Sequence, residues 1–114
     1  MEKEEASHLF SQAQLYSQQM QNILAQRTAM VLELNEIKKS LEELGKTKEK
    51  SVYRLSGPIM IKADTAAVKK DLEEKQNTIS LRVKTLEKQE ERLKERIEEL
   101  RGKIIKVKAS SEAG

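Results

Sequence analysis

The chain has 114 residues, with 22 Lys and Arg against 19 Asp and Glu, and its net charge is +3. It contains no cysteine, which excludes a disulfide framework and a thiolate metal site. Charged residues make up 36% of the chain and aromatic residues only 3%, while 37% are hydrophobic, so we expect long helices with ordered apolar lines rather than a compact globule.

The start of the chain and its apolar runs bear on its location and partners. Met1 is followed by charged residues with no apolar stretch behind them, unlike a secretory signal, and apolar runs such as Ile59–Ile61 are far too short to span a membrane. The 16 lysines are interleaved with 17 glutamates, so no basic stripe forms for nucleic acid. We expect a soluble, intracellular protein with no membrane and no nucleic acid as a partner.

A heptad repeat over residues 6–44 predicts the first coiled-coil helix. Its seam is the set of two positions per heptad that face a partner helix, and eleven of these twelve positions are apolar. The seam positions are Ala6, Leu9, Ala13, Tyr16, Met20, Ile23, Arg27, Met30, Leu34, Ile37, Leu41 and Leu44. Gly45 follows directly, where a left-handed helix end favours glycine.

Residues 51–62 predict a β-hairpin. The run Ser51–Leu55 is β-branched and aromatic, Ile59–Lys62 is nearly all apolar, and Ser56–Pro58 between them is a turn signal. Two short strands are marginal alone in water, and one helix pair cannot cover both of their faces and both edges. We therefore expect hairpins from several chains to assemble into a shared sheet or barrel. The side chains expected at this oligomer interface are Val52, Tyr53, Leu55, Ile59, Met60 and Ile61.

A second heptad repeat over residues 65–108 predicts the second coiled-coil helix, with Asp64 as its N-cap. One series recurs every seven residues without a break, at Leu72, Ile79, Leu86, Leu93, Leu100 and Val107. The companion series is mixed, at Gln76, Val83, Glu90, Ile97 and Ile104. Together the elements predict a mainly α fold, in which residues 1–114 form a single domain of two long helices joined by a β-hairpin.

Two helices of similar length, joined by a short hairpin, favour an antiparallel coiled coil within one chain, because they meet at high local concentration. Parallel dimerisation is the competing use of the same heptads. In the antiparallel register Arg27 and Glu90, which each interrupt an apolar seam, come within about one helical turn of each other. This predicts a polar contact that sets the register.

No set of residues suits catalysis or metal binding. His8 is the only histidine, and there is no glycine-rich phosphate loop. The carboxylates stand in Glu and Lys runs that are typical of solvated helix faces. We expect no enzyme activity, no metal and no cofactor.

The segment Val52–Lys62, set between two coiled-coil helices, resembles the β-type subunit of prefoldin. The specific part is Val-Tyr-x-Leu-x-Gly-Pro at 52–58 followed by an apolar second strand, and a single hairpin is similar to the β type, since the α type has two. The resemblance implies a hexamer of two α-type and four β-type subunits, with hairpins in a double barrel and coiled coils projecting as tentacles. It also implies that the complex holds unfolded proteins without ATP and delivers them to a group II chaperonin in the archaeal or eukaryotic cytoplasm.

Antiparallel folding brings apolar residues from both ends of the chain together at the tentacle tip. Phe10 and Ile105 lie off the seam, so neither is needed to close the two-helix core. We expect this tip to contact unfolded clients, although ordinary packing at the end of a coil explains the same residues. The expected client-binding residues are Leu9, Phe10, Ile104, Ile105 and Val107.

Two other functions stay open. A structural coiled-coil scaffold or tether has the same heptads but no holdase activity, so it does not suppress aggregation of an unfolded protein. A helical arm that grips structured RNA binds with an affinity that falls steeply with salt.

Overall fold

The computed structural model describes residues 2–113, and the side chains of residues 3–110. Its elements follow in the order α1 (Glu2–Lys46), β1 (Ser51–Ser56), β2 (Ile59–Asp64) and α2 (Thr65–Ala113). This order confirms the predicted mainly α fold with one hairpin between two long helices, while assembly of hairpins into a barrel stays a prediction. Helix α2 continues past its predicted end at Lys108, because Ala109–Ala113 contains neither Gly nor Pro.

Two glycines that the sequence singles out behave differently. Gly45 lies inside α1, which continues to Lys46, so the predicted left-handed helix end at Gly45 is wrong. In the described part of the chain the one positive φ, 59°, belongs to Gly57. Gly57 is the first loop residue between the paired Ser56 and Ile59, where a positive φ is typical of a type II′ turn. The predicted hairpin turn is confirmed.

Helix α2 begins at a capped junction. The N–H of Ala67 donates to Asp64 Oδ2 at 3.2 Å, so Asp64 is the N-cap that the sequence predicts. Thr65 ties this point to the segment before β1, since its N–H donates to the Lys50 carbonyl at 2.9 Å and its Oγ1 donates to the Glu49 carbonyl at 2.8 Å. These bonds close the base of the hairpin where α2 leaves it.

Burial along both helices follows the predicted seams. Every predicted seam position is buried or half-buried, whereas most positions between them are exposed. The buried apolar side chains are Leu9, Ile37, Val68, Ile79, Val83, Leu86, Leu93 and Leu100. The heptad predictions for residues 6–44 and 65–108 are confirmed.

The chain forms two compact units, and residues 29–84 make up the first, which we name the hairpin unit. Its core is Ile37, Ile79 and Val83, with half-buried apolar neighbours from both helices packed against it. Because Ile37 of α1 packs in the same cluster as Ile79 of α2, while Lys50 bonds to Thr65, α2 runs back along α1 in the opposite direction within this unit.

The second unit consists of residues up to 28 and from 85 onward, and we name it the terminal unit. Arg27 Nη1 lies 3.4 Å from Glu90 Oε2, which confirms the predicted polar contact in the seam. Lys94 Nζ lies 3.4 Å from the other oxygen, Glu90 Oε1. The buried Glu90 carboxylate is therefore held by two cations, as a charge placed in an apolar seam requires.

Candidate functional site

The hairpin register sorts the side chains of the hairpin unit's strands onto two faces. Leu55 pairs with Met60 and Tyr53 pairs with Lys62, so these four residues share one face, which we name the open face. All four are exposed, and Leu55 is the most exposed large apolar side chain of the described chain, at 77%. An apolar surface of this kind at the tip of a hairpin is typical of an interaction site.

The opposite face of the hairpin carries Val52, Arg54, Ile59 and Ile61, and we name it the helix-side face. Arg54 Nη1 lies 3.3 Å from Asp71 Oδ2 in the second turn of α2, so this face turns toward that helix. Both side chains are well exposed, so the ion pair contributes little stability. The contact shows which face turns toward α2, and Ile59 and Ile61 on that face are nevertheless exposed.

Both edges of the hairpin are also available. The sheet of the described chain has two strands, β1 and β2, so each strand has one edge with no strand beside it. Unpaired N–H and C=O groups along an exposed edge readily pair with a strand of another chain. The six residues predicted for the oligomer interface all lie on this small sheet, and their role at an interface stays a prediction.

The five residues predicted for client binding lie in the terminal unit, and their side chains differ in exposure to solvent. Leu9 is only 6% exposed and belongs to the helix-pair core, whereas Phe10 and Ile105 are 62% and 60% exposed. Ile104 and Val107 are half-buried at seam positions. The apolar surface open to another molecule is therefore that of Phe10 and Ile105, and client binding by any of the five stays a prediction.

An open groove of about 630 Å³ brings Ile104 and Ile105 together with further apolar residues of the terminal unit. The apolar lining continues with Ala13, Met20, Ile97 and Leu100. Phe10 and Leu9 do not line it. The groove therefore joins two of the five predicted residues and leaves the others outside it.

The sequence predicts Ile104 and Ile105 at this surface but does not predict the groove, because heptad spacing ranks residues along one helix and does not show the space between two helices. The available signal is Ser17, which also lines the groove. Phe10, Ser17, Leu24 and Val31 recur every seven residues beside the seam, and Ser17 is the only small member of that line. A small side chain among larger ones leaves space at that level of the coil.

The described residues contain no group of three or more His, Cys, Asp or Glu side chains placed to hold a metal ion. His8 is exposed on α1. Within residues 2–113 neither helix has the apolar stretch that crossing a bilayer requires.

Comparison with known proteins gives one consistent result. The sequence profile of the prefoldin subunit family matches residues 7–111. Prefoldin subunit beta of Thermococcus onnurineus is 39% identical over 97 residues, which are 84% of each chain. Prefoldin subunit beta of Archaeoglobus fulgidus is 37% identical over 101 residues, which are 88% of this chain and 87% of the relative. The crystal structure of the prefoldin beta subunit from Thermococcus strain KS-1 superposes with a TM-score of 0.78 at 32% identity, covering 88% of this chain and 89% of that one.

Proposed function

This chain belongs to the prefoldin family as a subunit of the β type, and from that premise we propose that it serves in a chaperone complex that holds unfolded proteins without ATP. The complex is a cytoplasmic hexamer of two α-type and four β-type subunits. It has no enzymatic activity, and it delivers its clients to a group II chaperonin.

The apolar surface of the terminal unit carries the client-holding part of this proposal. Phe10 and Ile105 are mostly exposed to water, and Ile105 also lines the groove of about 630 Å³. Burying one such side chain against a client is worth roughly 1.5 to 3 kcal/mol, so a single contact is weak and reversible. Several subunits acting on one client raise the effective concentration, and together they hold it.

The hairpin supports the assembly part of the proposal. Tyr53, Leu55 and Met60 leave an apolar open face, and both strand edges lack a partner in the described chain. An isolated hairpin with these features is prone to aggregate. Pairing with hairpins of other subunits covers the same faces and edges in a defined complex.

Client protection tests the proposal. The double variant Phe10→Ser with Ile105→Ser removes exposed apolar surface while it leaves the buried Leu9 in the helix pair. Because both positions are exposed, we expect stability to change by less than about 0.5 kcal/mol per site. A denatured test protein is diluted into the assembled complex, and light scattering follows its aggregation. We expect the variant to protect markedly less than the wild type at equal concentration.

A matched control removes a similar apolar surface elsewhere on α1. Leu15→Ser with Leu32→Ser changes two side chains that are 52% and 60% exposed, and we expect this variant to keep full protection. Absence of protection by the wild-type complex would favour a scaffold or tether instead. Equal loss in both variants would remove Phe10 and Ile105 from the mechanism.

Delivery to a chaperonin is tested separately. The client is first held by the complex, then a group II chaperonin and ATP are added, and recovery of native client is measured. We expect recovery to exceed that from spontaneous release. Recovery that is the same with and without chaperonin would contradict delivery while leaving the holding activity intact.

A further inference from the structure

Two arginines of α2 line a groove of the terminal unit that the proposed function does not use. Arg92 and Arg96 stand four residues apart, so they are neighbours on one face of the helix. Their groove is open, has a volume of about 380 Å³, and is lined by both helices. We name it the arginine groove, and its other lining residues are Gln19, Asn22, Ile23, Gln89 and Leu93. It shares no lining residue with the apolar groove of about 630 Å³.

The two guanidinium groups have no ion-pair partner in the described chain. Glu95 and Glu99 follow Arg92 and Arg96 at a three-residue spacing, which allows ion pairs along a helix. Neither carboxylate lies within ion-pair distance of an arginine, and neither lines the groove. Both arginines are exposed, so their donor groups are available to another molecule.

The heptad pattern explains why this charge is not neutralised. Gln19 and Glu33 occupy the same position beside the seam of α1, two heptads apart, and side chains at such positions commonly form ion pairs between helices. Glu33 does so, because Lys75 Nζ lies 3.0 Å from its Oε1. Lys75 and Arg96 are likewise equivalent positions of α2, three heptads apart. Gln19 therefore stands where a glutamate would neutralise Arg96.

The lining of the arginine groove is complementary to an anion with several oxygen atoms. A guanidinium group donates two parallel hydrogen bonds to a phosphate, and the side-chain amides of Gln19, Asn22 and Gln89 add N–H donors from both helices. No carboxylate stands in the lining, and Ile23 and Leu93 add apolar walls. Positive charge beside apolar walls concentrates the electric field on a bound anion.

The size of the groove and the number of its donors select the ligand. A carboxylate has two oxygens, which one guanidinium group satisfies, whereas a chain of phosphates offers acceptors to both arginines and to the amides. Small-molecule sites have volumes of roughly 300 to 1,000 Å³, so the groove has room for more than one phosphate. We propose that the arginine groove binds the phosphate chain of a small oligophosphate, either inorganic or part of a nucleotide. Binding involves no hydrolysis, so it is compatible with client holding without ATP.

Isothermal titration calorimetry of the full chain with inorganic triphosphate, at low salt and without divalent cations, tests the proposal. We expect a single triphosphate per chain. The variant Arg92→Gln with Arg96→Gln should weaken binding by roughly tenfold or more, because it removes both charged donors. A nucleoside triphosphate in a second titration distinguishes the two sources. Equal affinity assigns recognition to the phosphate chain, and tighter binding of the nucleotide adds a contact with the nucleoside.

The variant Gln19→Glu blocks the site while it keeps both arginines. It supplies the carboxylate that Glu33 supplies to Lys75, so the fold gains an ion pair while the anion meets a like charge. We expect triphosphate binding to weaken by roughly tenfold, with helix content unchanged by circular dichroism. This variant separates loss of the site from loss of the fold.

Two further variants separate the geometry of the site from its charge. Arg92→Lys with Arg96→Lys keeps the charge but removes the planar pairs of donors, and we expect binding to weaken by roughly fivefold. Lys84→Gln with Lys88→Gln lowers the net charge as much as the double glutamine variant does, at exposed positions of α2 with no described ion pair. We expect this control to bind triphosphate as the wild type does.

Several results would overturn the oligophosphate site. These are no binding by the wild type, equal weakening in the lysine-to-glutamine control, and unchanged affinity in Gln19→Glu or in the arginine-to-lysine variant. A short single-stranded RNA is titrated as a last comparison, since nucleic acid carries the same phosphate chemistry along a longer backbone. We expect it to bind more weakly than triphosphate, and tighter binding would assign the surface to nucleic acid instead.

Discussion

The ion pair between Arg27 and Glu90 gives the most direct test of how the helix pair keeps its register. Glu90 has a side chain only 12% exposed, whereas that of Arg27 is 35% exposed, so the two partners differ in their access to water. The change Arg27→Ala leaves the carboxylate buried with Lys94 alone, and we expect a loss of about 2 to 3 kcal/mol in the free energy of unfolding. The change Glu90→Ala leaves a guanidinium that water can reach, and we expect a smaller loss of about 1 kcal/mol in the free energy of unfolding.

The double variant Arg27→Leu with Glu90→Leu should recover most of this loss. Removing both charges ends the desolvation cost, and leucine suits a seam whose neighbouring positions are apolar. In an alanine double-mutant cycle we expect a coupling free energy on the order of 1 to 2 kcal/mol. The exposed pair Glu43 and Lys46, 3.8 Å apart, is the control, and its removal should cost less than about 0.5 kcal/mol.

The assay for this ion pair is urea unfolding followed by circular dichroism. Protein concentration is held fixed, because assembly makes apparent stability depend on it. Additive losses in the cycle, or a larger loss for Glu90→Ala than for Arg27→Ala, would refute the reasoning. The first result would mean that the two charges do not act together, and the second that water reaches Glu90 more easily than Arg27.

Three further predictions address assembly, backbone and core. Ile59→Asp with Ile61→Asp should lower the solution mass of the complex, measured by light scattering, while helix content stays unchanged, because the seams are untouched. Gly57→Ala should destabilise the hairpin by about 1 kcal/mol, because a φ of 59° strains any L side chain. Gly45→Ala should stabilise the folded chain by up to about 1 kcal/mol, because Gly45 lies inside α1. Urea unfolding measures both effects. Ile37→Ala should cost about 2 to 5 kcal/mol in the same assay, because Ile37 lies in the buried cluster of the hairpin unit.

Neighbouring residues of β2 have different surroundings. Met60 lies on the open face, and Ile61 lies on the side where Arg54 reaches Asp71. Substitutions at Met60 and Ile61 therefore probe different surfaces, although the residues are adjacent in sequence and similar in polarity. Their comparison shows which face of the hairpin packs against other subunits.

The sequence by itself determined the elements and the pairing of the helices. Heptad spacing is a local property, and burial follows it at every predicted seam position. The hairpin turn at Gly57 and the N-cap at Asp64 also follow from local chemistry, because each needs a particular residue at a particular position. The Arg27 and Glu90 contact could be predicted because a short hairpin fixes the antiparallel register over many turns.

The tertiary structure decided which surfaces stay open. Leu9 and Phe10 are neighbours in sequence, but only Leu9 is covered by the helix pair, and the space beside Ser17 becomes a groove only with Ile104 and Ile105 opposite it. The contact of Arg54 with Asp71 likewise shows which hairpin face turns toward α2. Heptad periodicity predicts which side of one helix is buried. The exposure of a single side chain also depends on side chains from another element, and the two elements come into contact only in the folded chain.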